Sequence, residues 1–100
     1  MRFRFSKAKS EAVRRNPKRG IGFEEAQEVF AHAYYQDQRS DEPEQYRAIG
    51  WVGDHLFTVI FEIREDQLGE YCRLVTLWRA TQKERQLYEA NQYGEEGPVG

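Results

Sequence analysis

At 100 residues the chain is the size of one domain, long enough to bury a core without disulfide staples. With 14% aromatic and 32% charged residues it has a globular rather than a disordered composition, and no apolar run reaches the length of a membrane span. The net charge of −2 hides a division: residues 1–20 hold eight Lys or Arg against one acid, +7, so the remainder carries −9. Such asymmetry fits a basic patch facing a polyanion or an acidic partner, or a basic segment that neutralises the rest of the chain. The single Cys72 excludes an internal disulfide. It fits a reducing setting, and the expectation is a cytoplasmic protein without a signal peptide.

Taken in chain order, "RFRF" at the start alternates Arg outward and Phe inward, as a half-buried strand does. Ser6 is placed to cap a short helix over "KAKSEAVRRN", with Ala8, Ala12 and Val13 inward and Asn16-Pro17 as its end. After the turn "KRGIG", the run "FEEAQEVFAHA" spaces Phe23, Ala26, Val29 and Phe30 for one helix face. Glu24 and Glu25 fall in its first turn, where the helix dipole favours them. The polar stretch "YYQDQRSDEPEQ" reads as an exposed loop, with at most a short edge strand at Tyr34-Tyr35.

Three strands follow: "YRAIGWV", the very apolar "HLFTVIFEIRE" and "YCRLVTLWR". Short turns at Gly53-Asp54 and "EDQLGE" join them into an antiparallel meander. Thr81 and Glu84, three apart, have the spacing of a capping box, so a last helix starts there, buries Leu87, with Tyr88 a second candidate, and frays near Asn91. Residues 1–93 are expected to form one domain and 94–100 a flexible tail. The order β-α-α-β-β-β-α predicts an α+β domain, an antiparallel sheet with helices packed on one face. Phe57, Val59, Phe61, Val75 and Leu77 are expected in its interior.

The search for chemistry excludes more than it finds. His32 and His55 are far apart and lack partners at ligand spacing, so no metal site is expected. There is no glycine-rich phosphate loop and no Ser/His/Asp pattern. Arginines on strands remain. Arg64 ends the central strand, and Arg73 and Arg79, six apart on the next, are predicted to share a face. Clustered arginines bind phosphates through forked hydrogen bonds; they also form plain ion pairs, here with Glu62, Glu65 or Glu70. Lys83 and Arg85 follow a helix start, where the dipole opposes cations.

The segments "FSKAK", "GFEEAQEVF", "YRAIG", "LFTVIFEIRED" and "RLVTLWRATQKERQLYE" together resemble the BrnT family of bacterial toxins over roughly residues 3–89. The resemblance implies a RelE-like fold and the toxin half of a type II toxin–antitoxin system. It also implies a metal-independent endoribonuclease, a hydrolase that inhibits translation without a cofactor. The implied partners are RNA and a cognate antitoxin of ribbon-helix-helix type. Carried over residue by residue, Arg64, Arg73 and Arg79 are the catalytic candidates. Lys9, Arg19, Trp78, Lys83 and Arg85 are the RNA-binding candidates, and Trp78 is open to core packing as well. Glu62, Lys9 or no dedicated group would serve as base. The chain departs from the family at Lys18-Arg19-Gly20 (Lys-His-Gly), Gln45-Tyr46 (Arg-Tyr) and Thr76-Leu77-Trp78 (Ser-Ala-Arg). These departures keep a rival class open, a catalytically decayed protein-binding module.

Overall fold

Alternation along the central strand, β4 (His55–Asp66), divides the molecule in two. Phe57, Val59 and Phe61 point to one side of the sheet and Leu56, Thr58 and Ile60 to the other, and all six are buried. A strand buried on both faces needs cover on both sides, and that requirement decides the architecture. The computed structural model describes residues 1–96, with side chains described as far as Asn91.

Five strands form one sheet: β1 (Phe3–Arg4), β2 (Tyr35–Asp41), β3 (Glu44–Val52), β4 and β5 (Gly69–Arg79). Their spatial order is β1-β5-β4-β3-β2. From β3 to β5 the chain is the expected antiparallel meander, and β2 adds a further antiparallel strand to it. The sheet is nevertheless mixed, because β1 runs parallel to β5, with Phe3 beside Cys72. Alternation in "RFRF" marks a strand but carries no information about its partner or direction.

On the first face lie α1 (Lys7–Arg15) and α2 (Phe23–Ala26), which tightens into a 3-10 turn over Gln27–Ala31. Val13, Phe23, Ala26 and Val29 pack there against Phe57, Val59, Phe61 and Leu77. Ser6 caps α1, accepting from the Lys9 N–H at 3.1 Å. The buried residues of α1 are Ser10 and Val13, whereas Ala8 and Ala12 are exposed. Ser10 Oγ accepts from the buried Phe23 N–H at 2.9 Å and donates to Glu24, fastening the start of α2 to α1. Gly22 has to be glycine in this packing, since a Cβ would stand 2.5 Å from Ser10 Oγ.

The helix α3 (Gln82–Glu96) lies on the second face, against Ile49 and Leu56 through Tyr88 and Leu87. The expectation of helices on one face is therefore corrected. The apolar residues on the second side of β4 are what α3 covers. α3 runs past Asn91 to Glu96, so residues 94–96 of the expected tail are helical, and the rest of it, residues 97–100, lies outside the described residues.

The polar stretch before β3 is not a loop. Tyr35–Asp41 is a full edge strand, so the order is β-α-α-β-β-β-β-α. An edge strand packs little apolar surface, and this one is charged and bulged, as edges that resist aggregation commonly are. Val75 is a second correction, being half-buried at a bulge rather than interior.

Candidate functional site

β4 and β5 pair residue for residue except at one place. Ile60 is opposite Thr76 and Phe61 is opposite Leu74, which leaves Val75 without a partner. A bulge of this kind inserts one residue and shifts the alternation of everything beyond it. Arg73 consequently lies on the α3-bearing face, opposite Glu62. Arg79 lies on the other face, opposite Phe57, with its guanidinium 5.9 Å from the Phe57 ring centre. The expectation that Arg73 and Arg79 share a face is thus overturned by one inserted residue.

The α3-bearing face instead brings Arg64 and Arg73 together. Glu62 is 5% exposed and accepts from Arg64 Nη2 at 2.8 Å, Arg64 Nε at 3.0 Å and Arg73 Nη1 at 3.4 Å, all on one oxygen. Gln45, on β3, donates to the other oxygen at 2.8 Å. The Gln45 hydrogen bond, followed by the two guanidiniums, holds the Glu62 carboxyl below the usual carboxylate range against the opposing pull of burial. Both arginines remain about half exposed, at 52% and 49% of their side chains. They can therefore reach a ligand without leaving the sheet.

Farther along β5 on the same face stands Trp78. Its Nε1 donates to both oxygens of Glu84, at 3.1 and 3.3 Å. Glu84 is buried and also accepts from the Thr58 hydroxyl at 2.8 Å and the Thr81 N–H at 2.9 Å. Thr81 Oγ1 accepts in return from the Glu84 N–H at 3.2 Å, completing the expected capping box. One carboxylate thus ties the start of α3, the central strand and Trp78 together. Arg47 Nη1 stands 3.6 Å from Glu84, and Arg47 also forks onto Asp37. Burial pushes the Asp37 carboxyl up, and hydrogen bonds from Arg47 and Tyr35 outweigh it and hold it below its ordinary range.

Arg39 completes the group. It occupies the bulge of β2, between Gln38 paired with Tyr46 and Ser40 paired with Gln45. Its guanidinium lies over the Trp78 ring, 5.6 Å from the centre. Arg39 has no carboxylate partner among the described residues. Sequence reasoning missed Arg39 because it sat in the presumed loop. The signal available for Arg47 was its place two residues before Ile49, on the same side of one strand.

The remaining sequence candidates fall elsewhere. Lys9 is exposed on α1, and Arg19 lies in the turn after it, both on segments belonging to the first face. Lys83 is exposed on α3. Arg85, also on α3, covers the Trp51 ring at 5.6 Å. The basic N-terminal segment is partly neutralised by acids: Arg2 and Arg4 pair with Asp66, and Arg14 with Glu11, Glu24 and Glu25. Arg2 and Arg4 also lie over the Tyr71 ring.

No protein-family model matches the chain, and no curated protein matches it. The chemistry of the site therefore has to be read from its own groups. Four arginines, Arg39, Arg47, Arg64 and Arg73, face three carboxylates, Asp37, Glu62 and Glu84, beside one half-buried indole. That set can hold an oxyanion by forked hydrogen bonds and can stack a flat ring. Among the described residues no three His, Cys, Asp or Glu side chains gather as a metal-ligand group.

Proposed function

We propose that this protein is a BrnT-type toxin with a RelE-like fold, a metal-independent endoribonuclease acting on single-stranded RNA in the cytoplasm. In this reading a ribbon-helix-helix antitoxin holds it in check. The observation that carries the reading is the convergence of Arg64 and Arg73, both half exposed, on one side of Glu62. The resemblance to the BrnT family supplies the reaction.

In that reaction the RNA 2′-oxygen attacks its own phosphorus. The bond to the 5′-oxygen breaks, the proton of the 2′-hydroxyl passes through solvent to that oxygen, and a cyclic phosphate and a free 5′-hydroxyl result. Negative charge grows on the phosphate oxygens, and cations already in place stabilise it without reorganisation. Arg64 and Arg73 take that role, and Glu62 orients them. A carboxylate held below its ordinary range is a weak base near neutrality, so the reading assigns Glu62 no proton transfer. Arg79 and Lys9 lie toward the other face and drop out of the reacting group.

The test is cleavage of single-stranded RNA in the presence of excess chelator, with the product ends analysed for cyclic phosphate. Growth arrest on expression is the companion measurement. Absence of both would exclude the nuclease. A second reading has a specific observation in its favour: Glu62 already occupies both arginines. The same face then serves as a protein-binding surface. Under it, Arg64→Ala and Arg73→Ala weaken the antitoxin complex and no RNA is cut.

A further inference from the structure

Two Arg–Trp pairs occur on the α3-bearing face, and they differ in kind. Trp51 is 37% exposed and meets Tyr88 edge-on, with ring centres 6.5 Å apart; its covering Arg85 comes from the helix packed beside it. That pair belongs to the seam between α3 and the sheet. Trp78 has a different setting. Its ring is fixed at the nitrogen by the buried Glu84, and the guanidinium over it comes from Arg39 on the far edge strand.

Arg39 has the properties of a ligand-facing residue. It is exposed, it occupies a bulge that re-aims it, and no carboxylate among the described residues neutralises it. Arg47, its neighbour in space through the paired strands, is by contrast spent on Asp37 and Glu84. The guanidinium rests on an indole that is fixed at its nitrogen, and a flat ring that displaces it can lie on the indole with the arginine over or beside it. Flat aromatic groups stack on indoles and guanidiniums alike, and unpaired bases do so with little regard to sequence.

We propose that Trp78 and Arg39 form a stacking subsite for an unpaired base of single-stranded RNA, in register with phosphate held at Arg64 and Arg73. The proposal rests on the RNA reading of this face. Arg73 and Trp78 lie opposite Glu62 and Thr58, four residues apart on β4, so roughly 13 Å separates them at about 3.3 Å per residue. The stacked base and the held phosphate thus belong to different nucleotides of one strand. The subsite selects strands whose bases are free, because a base stacked within a duplex cannot lay its face on the indole.

The chain has two tryptophans, so Trp51→Phe leaves Trp78 as the sole indole reporter. The probe is a single-stranded oligoribonucleotide with 2′-O-methyl groups, which cannot be cleaved by attack of its own 2′-oxygen. Inorganic polyphosphate of matched charge is the base-free comparison. The oligonucleotide should quench Trp78 emission to saturation, and polyphosphate should bind without quenching. Arg39→Ala should weaken oligonucleotide binding about tenfold and polyphosphate binding far less, whereas Lys7→Ala, an equal charge loss on α1, should leave the quenching intact.

Oligonucleotide binding, seen by anisotropy, with Trp78 emission unchanged would overturn the subsite and leave the nuclease reading standing. Equal quenching by polyphosphate, or equal losses in Arg39→Ala and Lys7→Ala, would also overturn it. Saturable, Arg39-dependent quenching in a protein that cuts no unmodified RNA would support the subsite and sink the nuclease. Absence of any oligonucleotide binding sinks both.

Discussion

Arg73 and Arg79 stand six residues apart on one strand and face opposite sides of the sheet, because Val75 is inserted between them without a partner. The separation turns a single cluster of candidate arginines into two populations that mutagenesis can distinguish. On the nuclease reading proposed above, Arg64→Ala and Arg73→Ala should each lower metal-free RNA cleavage tenfold or more, since a charge-assisted hydrogen bond is worth about 1.5–3 kcal/mol. Arg79→Ala should leave the rate nearly unchanged. Initial rates on one labelled single-stranded RNA would check all three, and a loss in Arg79→Ala equal to the others would remove the α3-bearing face from the mechanism.

The edge of the sheet is predicted to loosen in acid. Asp66 is held at about 2 by the hydrogen bond from Arg2 and the Leu68 N–H, with Arg4 adding its charge. A carboxyl depressed below its unfolded value of about 3.9 stabilises the fold fully above that pH, and the contribution fades as pH falls toward about 2. Melting temperatures taken between pH 5 and pH 2 (roughly the window these values set) should fall more steeply in the parent protein than in Asp66→Asn. Parallel curves would show that the pair contributes nothing to folding.

The joint between α1 and α2 offers a stability test away from the site. Removing the Ser10 hydroxyl leaves the buried Phe23 N–H without its acceptor. Ser10→Ala should therefore cost about 1–3 kcal/mol in urea unfolding. A restoring substitution to Thr would have to fit an added methyl into a position that is 0% exposed, and is expected to recover little.

Cys72 should be silent toward thiol reagents in the native protein. It is fully buried beside Phe3, and burial pushes its thiol up to about 12, so almost no thiolate exists near neutral pH. Labelling at pH 8 should be slow in buffer and fast in denaturant. Rapid native labelling would mean that the β1–β5 edge opens readily.

Much of the fold was legible because it rests on local signals. Ser6 as a cap, the Phe23–Val29 stripe, the three meander strands and the Thr81/Glu84 box all act within a few residues. The unread parts depend on distant partners. β2 lacks apolar alternation because it borders solvent, and the side on which α3 docks depends on the two-sided apolarity of β4. The candidate site failed in the sequence at one point, since counting by twos from Arg73 reaches Arg79 only if no bulge intervenes. Nothing in "RLVTLWR" announces that Val75 is extra. The further duties of Glu84, toward Thr58 and Trp78, were equally hidden behind its local role as a cap.

The parallel pairing of the first strand with the last has a consequence for when the protein comes to life. Phe3 is beside Cys72, so the edge of the sheet closes only across 68 intervening residues. Contacts of such separation form late and slowly, because the loop entropy is lost before the contact repays it. On a ribosome, where the N-terminal end emerges first, β1 waits for β5 to be made, and α3 and its Glu84 tie come later still. A chain built this way completes neither its sheet nor the face that carries Arg64 and Arg73 until the residues of β5 and α3 have been made.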